Sequence, residues 1–121
     1  MKRILVAEDE KSLLNVLDNR LTEKGWEVIP AQTGQEAIDK LQEGEFDMIV
    51  LDILMPDKTG FDVLKEIRSI KKLKNVPILV LSNLGADEDV KEAMKLGASD
   101  FFIKAQHPID EVLEKIETLS I

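Results

Sequence analysis

The sequence predicts an α/β fold in which a five-stranded, mostly parallel sheet carries helices on both of its faces. Five short apolar runs alternate along the chain with five longer stretches whose apolar residues recur at helical spacing. The short runs are apolar almost throughout, rather than at every second position. Such strands are expected to be buried on both sides, so helices should pack against each face of the sheet.

The first predicted strand covers residues 3–7 and the first predicted helix covers residues 11–24. Apolar residues recur every three or four positions along this helix, at Leu13, Leu14, Leu17 and Leu21. Gly25 follows directly and is expected to end the helix.

Residues 27–31 form the second predicted strand. Because Pro30 has no N–H to donate to a neighbouring strand, this strand is expected to lie at a sheet edge. Thr33 is predicted to cap a second helix over residues 34–43, with Glu36 placed three positions later as in a capping box.

The third strand is predicted over residues 48–51, and a turn over residues 57–60 separates it from the third helix. The apolar face of that helix is formed by Phe61, Leu64, Ile67 and Ile70. The basic run 71–74 that follows is interpreted as a solvated helix end or loop rather than a nucleic-acid patch.

The last two strands are predicted over residues 77–81 and 100–104, with a helix over residues 87–96 between them. Acidic residues at the start of that helix favour its positive end. Pro108 suits the first turn of a final helix. The apolar stripe of this helix consists of Ile109, Val112, Leu113, Ile116 and Leu119.

Composition and charge narrow the possible functions. A chain of 121 residues with 44% hydrophobic content fits one domain, here residues 1–121. The absence of cysteine excludes disulfides and thiolate metal sites. A net charge of −8 argues against direct binding to nucleic acids or anionic membranes. The apolar run near the amino terminus is too short for a signal peptide or a membrane span, so a cytoplasmic location is expected.

Polar residues follow four of the predicted strands. Right-handed crossovers place the carboxyl ends of parallel strands at one sheet edge, where open α/β sheets bind their ligands. Five residues are expected at that edge: Glu8, Asp9, Asp52, Ser82 and Lys104.

Each of these residues has a simple alternative explanation when it is considered alone. Asp52 could begin a solvated loop, Glu8 and Asp9 could favour a helix start, Ser82 could be a cap, and Lys104 could be surface charge. Three carboxylates at one edge, however, would repel one another unless they shared a cation. Oxygen ligands suit Mg²⁺, and a lysine with a hydroxyl suits phosphate. We infer a Mg²⁺-assisted phosphate site.

In order and context, these residues resemble the receiver domain of two-component response regulators, and the resemblance covers essentially the whole chain. The matching features are the acidic pair Glu8-Asp9, Asp52 with Met55-Pro56 and Gly60 after it, Ser82 after an apolar strand, and Lys104 after Phe101-Phe102-Ile103. The resemblance implies a (βα)5, flavodoxin-like, doubly wound fold. It also implies a phosphoacceptor signalling domain rather than an enzyme with a separate substrate.

The resemblance further assigns roles to individual residues. Asp52 would accept a phosphoryl group from a sensor histidine kinase or a phosphotransfer protein. Mg²⁺ would be bound by Asp9, Asp52 and the backbone carbonyl of Leu54, with Glu8 acting mainly through metal-bound water. Ser82 and Lys104 would hold the phosphoryl oxygens.

The resemblance also implies a switch. Inward movement of Ser82 would let Phe101 change rotamer and alter a protein-binding face, although plain core packing of Phe101 is an equal alternative. A downstream protein target and a phosphorylation-dependent dimer would follow from such a change.

Three features of the sequence, compared with the family pattern, lead to predictions. Ala105 replaces the proline that usually follows the lysine, so we predict a trans Lys104–Ala105 bond, because a cis bond would cost about 2.5–4 kcal/mol there. We also predict a rearranged loop over residues 105–108. Leu54 and Leu84 occupy the two positions that influence hydrolysis in this family, and neither can orient a water, so slow dephosphorylation is expected. Asn83 is expected to narrow access for small phosphodonors.

Other classes fit the sequence less well. An aspartate-nucleophile phosphatase needs a second acid where Leu54 stands. Residues 7–10 contain none of the glycines that a nucleotide-binding loop requires. The remaining alternative is a receiver-like module that binds proteins without being phosphorylated.

Overall fold

The computed structural model describes residues 2–121 as one sheet with helices around it. The strands are β1 (Arg3–Ala7), β2 (Glu27–Ala31), β3 (Met48–Leu51), β4 (Ile78–Ser82) and β5 (Asp100–Ile103). The helices are α1 (Lys11–Glu23), α2 (Gly34–Gln42), α3 (Gly60–Ser69), α4 (Asp87–Lys95) and α5 (Ile109–Leu119), with short 3₁₀ turns at Lys71–Leu73 and Lys104–Gln106.

The five strands pair in the order β2-β1-β3-β4-β5, and every pairing is parallel. The predicted fold class is therefore confirmed. Because the chain moves outward from β1 to β2 and then crosses to β3 on the other side, the strand order reverses between β1 and β3, where open α/β sheets form their ligand crevice. β2 lies at the edge, as Pro30 predicted.

The strands separate two apolar cores. Leu5, Ile49 and Val80 point into one core, which α2, α3 and α4 cover. Val6 and Val50 point into the other core, which α1 and α5 cover together with Trp26. All four residues of β3 are buried, as expected for a central strand with helices on both sides.

The start of α3 differs from the sequence prediction. The predicted turn over residues 57–60 ends one residue early, because Gly60 is already helical and Thr59 is the cap, accepting a hydrogen bond from the Asp62 N–H at 3.3 Å. A Cβ atom on Gly60 would lie 2.6 Å from the backbone oxygen of Asp52. This close approach lets the helix begin directly beneath Asp52, where only glycine fits.

Smaller shifts affect other boundaries. Ser82 is the last residue of β4 rather than the first beyond it, and Lys104 begins a 3₁₀ turn rather than ending β5. Pro108 has an extended ψ of 159° and caps α5 instead of lying in its first turn. Glu36 donates its N–H to Thr33 at 3.0 Å as predicted, while its carboxylate lies 3.6 Å from Lys40.

Arg68 connects α3 to two neighbouring segments. Its guanidinium donates to the backbone oxygens of Leu73, Lys74 and Val76 at 2.8–3.0 Å, and to that of Gly97 at 2.6 Å. Burial lowers the pKa of Arg68. These bonds fix the turn between α4 and β5 against α3, on the side of the sheet remote from the carboxyl ends of the strands.

Candidate functional site

The parallel register brings the acidic residues of two strands together. Ala7 pairs with Leu51, so Glu8 and Asp52 are the next residues on neighbouring strands. The Asp52 N–H donates to the Ala7 oxygen at 3.1 Å, which extends the strand pairing one step past β3. The carboxyl ends of β1 and β3 thus place two carboxylates side by side, as the sequence predicted.

Three carboxylates form a cluster at this edge. One oxygen from each of Glu8, Asp9 and Asp52 lies within 4.8 Å of the others. Glu8 and Asp52 are only 2% and 3% exposed, whereas Asp9 faces solvent. Two buried negative charges with a third at the rim need compensation from a cation.

Lys104 provides part of that compensation. Its Nζ lies 2.8 Å from Asp52 Oδ2 and 2.6 Å from Glu8 Oε1. The chain contains no cis peptide bond among the described residues, so the predicted trans Lys104–Ala105 bond is confirmed. The 3₁₀ turn that begins at Lys104 delivers the ammonium to the cluster without the proline that is usual in this sequence context.

The protonation of Glu8 reflects its burial. Burial raises the pKa of Glu8 from its ordinary 4.5 to about 7, although hydrogen bonds from Lys104 and from the Glu10 N–H act in the opposite direction. Burial also lowers the pKa of Lys104, but its hydrogen bonds to Asp52 and Glu8 outweigh this effect and raise it. A bound cation would favour the charged form of Glu8.

We expect the stability of the metal-free protein to fall as the pH rises from about 5 to about 8. A raised carboxyl pKa means that the folded protein binds the Glu8 proton more tightly than the unfolded chain, so stability is lost as that proton leaves. At 1.36 kcal/mol per unit, the change from 4.5 to about 7 corresponds to a loss of about 3 kcal/mol. Denaturant unfolding with a chelator present, at several pH values, measures this.

The matched control for this prediction is Glu8→Gln, which keeps the shape of the side chain but cannot titrate. Its free energy of unfolding should decline less over the same pH range than that of the wild type. The difference is the contribution of the Glu8 proton. Parallel pH profiles for the two proteins would contradict the prediction.

Ser82 and Phe101 lie on one face of the sheet. Ser82 is fully buried at the end of β4, and its Oγ accepts a hydrogen bond from the Leu84 N–H at 3.3 Å. Side chains alternate along a strand, so Ser82 shares the face of Val80, against whose core Phe101 packs. Phe101 is partly buried, and it pairs with Val80 across the two strands.

The comparison with protein families decides the identity of the domain. The model of the response regulator receiver domain matches residues 4–117. The chain belongs to this family. A receiver domain is a signalling domain.

Curated relatives fall into two size classes. The receiver is 36% identical over 117 residues to the transcriptional regulatory protein CusR of Escherichia coli, covering 97% of this chain and 50% of CusR. It spans about half the length of several such relatives. It is also 37% identical over 118 residues to the chemotaxis protein CheY of Thermotoga maritima, covering 95% of this chain and 97% of CheY.

Solved structures share the fold over nearly the whole length. CheY4 of Vibrio cholerae superposes with a TM-score of 0.91 at 30% identity, covering 98% of each chain. The response regulator TrrA of Thermotoga maritima, in complex with Mg²⁺ and BeF, superposes with a TM-score of 0.83 at 35% identity, covering 98% of this receiver and 99% of TrrA.

The donor set of the receiver fits a magnesium ion. All three groups in the cluster are carboxylates, and Mg²⁺ prefers one or two such oxygens together with water or phosphate. The Leu54 N–H donates to Asp52 Oδ1 at 3.1 Å. Leu54 itself is 53% exposed, and Leu84 packs against the core.

Two residues near the site escaped sequence reasoning. The Glu10 carboxylate lies 3.8 Å from Lys104 Nζ, and the Glu10 N–H donates to Glu8 Oε2, yet no sequence pattern gave Glu10 a role. Asp57 read as a turn residue, but it contacts α2 from across the sheet edge. No local pattern distinguishes either residue, since the contact of Glu10 with Lys104 and that of Asp57 with α2 both join segments distant in sequence.

Among residues 2–121, no helix is both long and apolar enough to cross a membrane.

Proposed function

We propose that Asp52 accepts a phosphoryl group from a histidine kinase or a phosphotransfer protein in a Mg²⁺-dependent reaction. The observation that carries this proposal is the position of the Asp52 carboxylate, buried beside Glu8 and Asp9 and bonded to Lys104 Nζ at 2.8 Å. Phosphoryl transfer depends mainly on positioning and on neutralising spread charge, and this arrangement offers both.

Each residue has a defined part in the proposed reaction. The carboxylates of Glu8, Asp9 and Asp52, with the Leu54 carbonyl, would hold Mg²⁺, which neutralises charge on the phosphoryl oxygens. An Asp52 oxygen attacks phosphorus, the bond from phosphorus to the donor's imidazole nitrogen breaks, and the imidazole keeps the electron pair. Lys104 and Ser82 hold the transferred phosphoryl oxygens.

The same geometry supports a switch. Phosphorylated Asp52 would draw Lys104 from its carboxylate partners and Ser82 toward the phosphoryl group. Since Ser82 and Phe101 share one face of the sheet, movement of Ser82 would change the space available to Phe101. The face formed by α4, β5 and α5 would then bind a downstream protein, and phosphorylation-dependent dimerisation would use the same change.

The remaining properties follow from this proposal. Residues 1–121 would act as one cytoplasmic receiver unit that assists only its own phosphorylation and dephosphorylation. The net charge of −8 favours protein partners with basic surfaces over direct contact with nucleic acid or anionic membrane.

Incubation with Mg²⁺ and acetyl phosphate tests the proposal. Intact-mass spectrometry should detect one added phosphoryl group that hydroxylamine removes and that chelation of Mg²⁺ prevents. Beryllofluoride with Mg²⁺ should produce spectral changes centred on Asp52. Absence of both responses would instead favour a receiver that binds its partners without phosphorylation.

We expect the phosphorylated protein to persist for minutes or longer. The side chains of Leu54 and Leu84 contain no polar atom that could orient an attacking water. Phosphate release from the purified phosphorylated protein measures the lifetime, and Leu54→Asn, which supplies an amide, should shorten it. A wild-type lifetime of seconds would refute the expectation.

A further inference from the structure

The loop from Asp52 to Thr59 carries the proposed phosphoacceptor and the proposed carbonyl ligand. Its first residues are held to the sheet by the Asp52 N–H, which donates to the Ala7 oxygen, and to the start of α3 by the Gly60 N–H, which donates to the Ile53 oxygen at 2.8 Å. Beyond Ile53 the chain turns outward, and Leu54 and Pro56 are exposed. The middle of the loop therefore needs support from another element.

Asp57 provides that support. Its Oδ1 accepts hydrogen bonds from the Gly34 N–H and from its neighbour Lys58, both at 2.8 Å. Its Oδ2 accepts from the Gln35 N–H at 2.9 Å. The hydrogen bond from Gln35 is the largest cause that lowers the pKa of Asp57. A single carboxylate thus joins the loop to the start of α2.

These bonds complete the capping of α2. The N–H groups in the first turn of a helix have no partner within the helix. Thr33 Oγ1 accepts a hydrogen bond from the Glu36 N–H, and the Thr33 carbonyl oxygen accepts one from the Ala37 N–H. The two remaining N–H groups, those of Gly34 and Gln35, donate to the carboxylate of Asp57, which lies more than twenty positions away in the chain.

Gly34 packs closely against side chains of the loop and of α3. A Cβ atom on Gly34 would lie 2.8 Å from Lys58 Cβ and 3.1 Å from Val63 Cγ2. On the α3 side of the loop, Lys58 Nζ lies 3.2 Å from Glu66 Oε1. The loop is therefore held between α2 and α3, with the Asp57 carboxylate as its polar contact to α2.

We propose that Asp57 is a positioning residue for the metal site: by fixing the loop against α2, it holds the Leu54 carbonyl and the Asp52 carboxylate in place for Mg²⁺. The proposal rests on the function proposed above. Groups that orient metal ligands without touching the metal typically change affinity by about 10–100-fold when they are removed.

Calorimetric titration of the whole chain with Mg²⁺ tests this role. Asp57→Ala should weaken Mg²⁺ binding about tenfold, and Asp57→Asn, which keeps one carbonyl acceptor but loses the charge, should weaken it less. In phosphorylation by acetyl phosphate, the Mg²⁺ concentration for half-maximal rate should rise while the rate at saturating Mg²⁺ changes little.

Thr33→Ala is the matched control. It removes a cap from the same turn of α2, and the lost hydrogen bond involves no loop residue, so it separates loss of helix stability from loss of loop position. Denaturant unfolding checks that each variant is folded, and Asp57→Asn serves if Asp57→Ala does not fold. Thr33→Ala should keep the wild-type Mg²⁺ affinity.

Two outcomes would overturn the proposal: a Mg²⁺ affinity of folded Asp57→Ala within twofold of wild type (or, if that variant does not fold, an affinity of Asp57→Asn equal to wild type), or equal weakening by Thr33→Ala. Failure of the proposed function gives a different result. In that case the wild-type protein itself would take up no phosphoryl group, whereas Mg²⁺ affinity can still be compared among the variants.

Discussion

Asp52→Asn is expected to abolish phosphorylation, lowering phosphoryl incorporation by about three orders of magnitude or more, since loss of a nucleophile has effects of at least this size. The amide has nearly the shape of the carboxylate, so the buried position at the end of β3 stays filled. It cannot form the acyl phosphate. Incorporation from acetyl phosphate with saturating Mg²⁺, followed by intact-mass spectrometry, measures the loss.

The fold of Asp52→Asn should survive, because the substitution removes one negative charge from a cluster of three carboxylates. Asp57→Asn is a useful comparison, as it makes the same chemical change on the same loop and should remain phosphorylated at saturating Mg²⁺. If Asp52→Asn incorporated phosphoryl as wild type does, another residue would be the acceptor.

Lys104→Met is expected to have two separable effects. The rate of phosphorylation should fall by about 10²–10³-fold, because a preorganised cation no longer stabilises the charge that develops on the phosphoryl oxygens. In the absence of metal the protein should also lose about 3 kcal/mol of stability at pH 8, since the substitution leaves Glu8 and Asp52 buried without their partner. Initial rates and denaturant unfolding measure the two effects.

Adding Glu8→Gln to Lys104→Met separates stability from chemistry. The double variant removes one of the two unpaired buried carboxylates along with the lysine, so part of the lost stability should return. The phosphorylation rate should not recover. A Lys104→Met protein that is phosphorylated at the wild-type rate would show that this ammonium has no part in the transfer.

The elements of the fold followed directly from local sequence patterns. A continuous apolar run as short as residues 48–51 suits a strand covered on both sides, and the spacing of the leucines of α1 places them on one face of a helix. Boundaries were less certain, because they depend on packing. Gly60 is the first residue of α3, and at this point the helix approaches the Asp52 backbone too closely for any side chain.

The residues of the candidate site could be predicted from the sequence, as the elements of the fold could. Residues that follow parallel strands must meet at one sheet edge, so the position of Glu8, Asp9 and Asp52 follows from the order of strands along the chain. The grouping of these three carboxylates within 4.8 Å confirms that reasoning. The family pattern left open where Lys104 would lie, because Ala105 replaces the usual proline.

The sequence by itself determined the fold class, the family resemblance and the residues that gather at the sheet edge. The tertiary structure decided which of these groups bond to one another: Lys104 to both Glu8 and Asp52 despite its altered loop, and Asp57 to the start of α2. The physical reason is the range of the interactions. Apolar periodicity acts within a segment, whereas a hydrogen bond between distant segments depends on how the helices pack around the sheet.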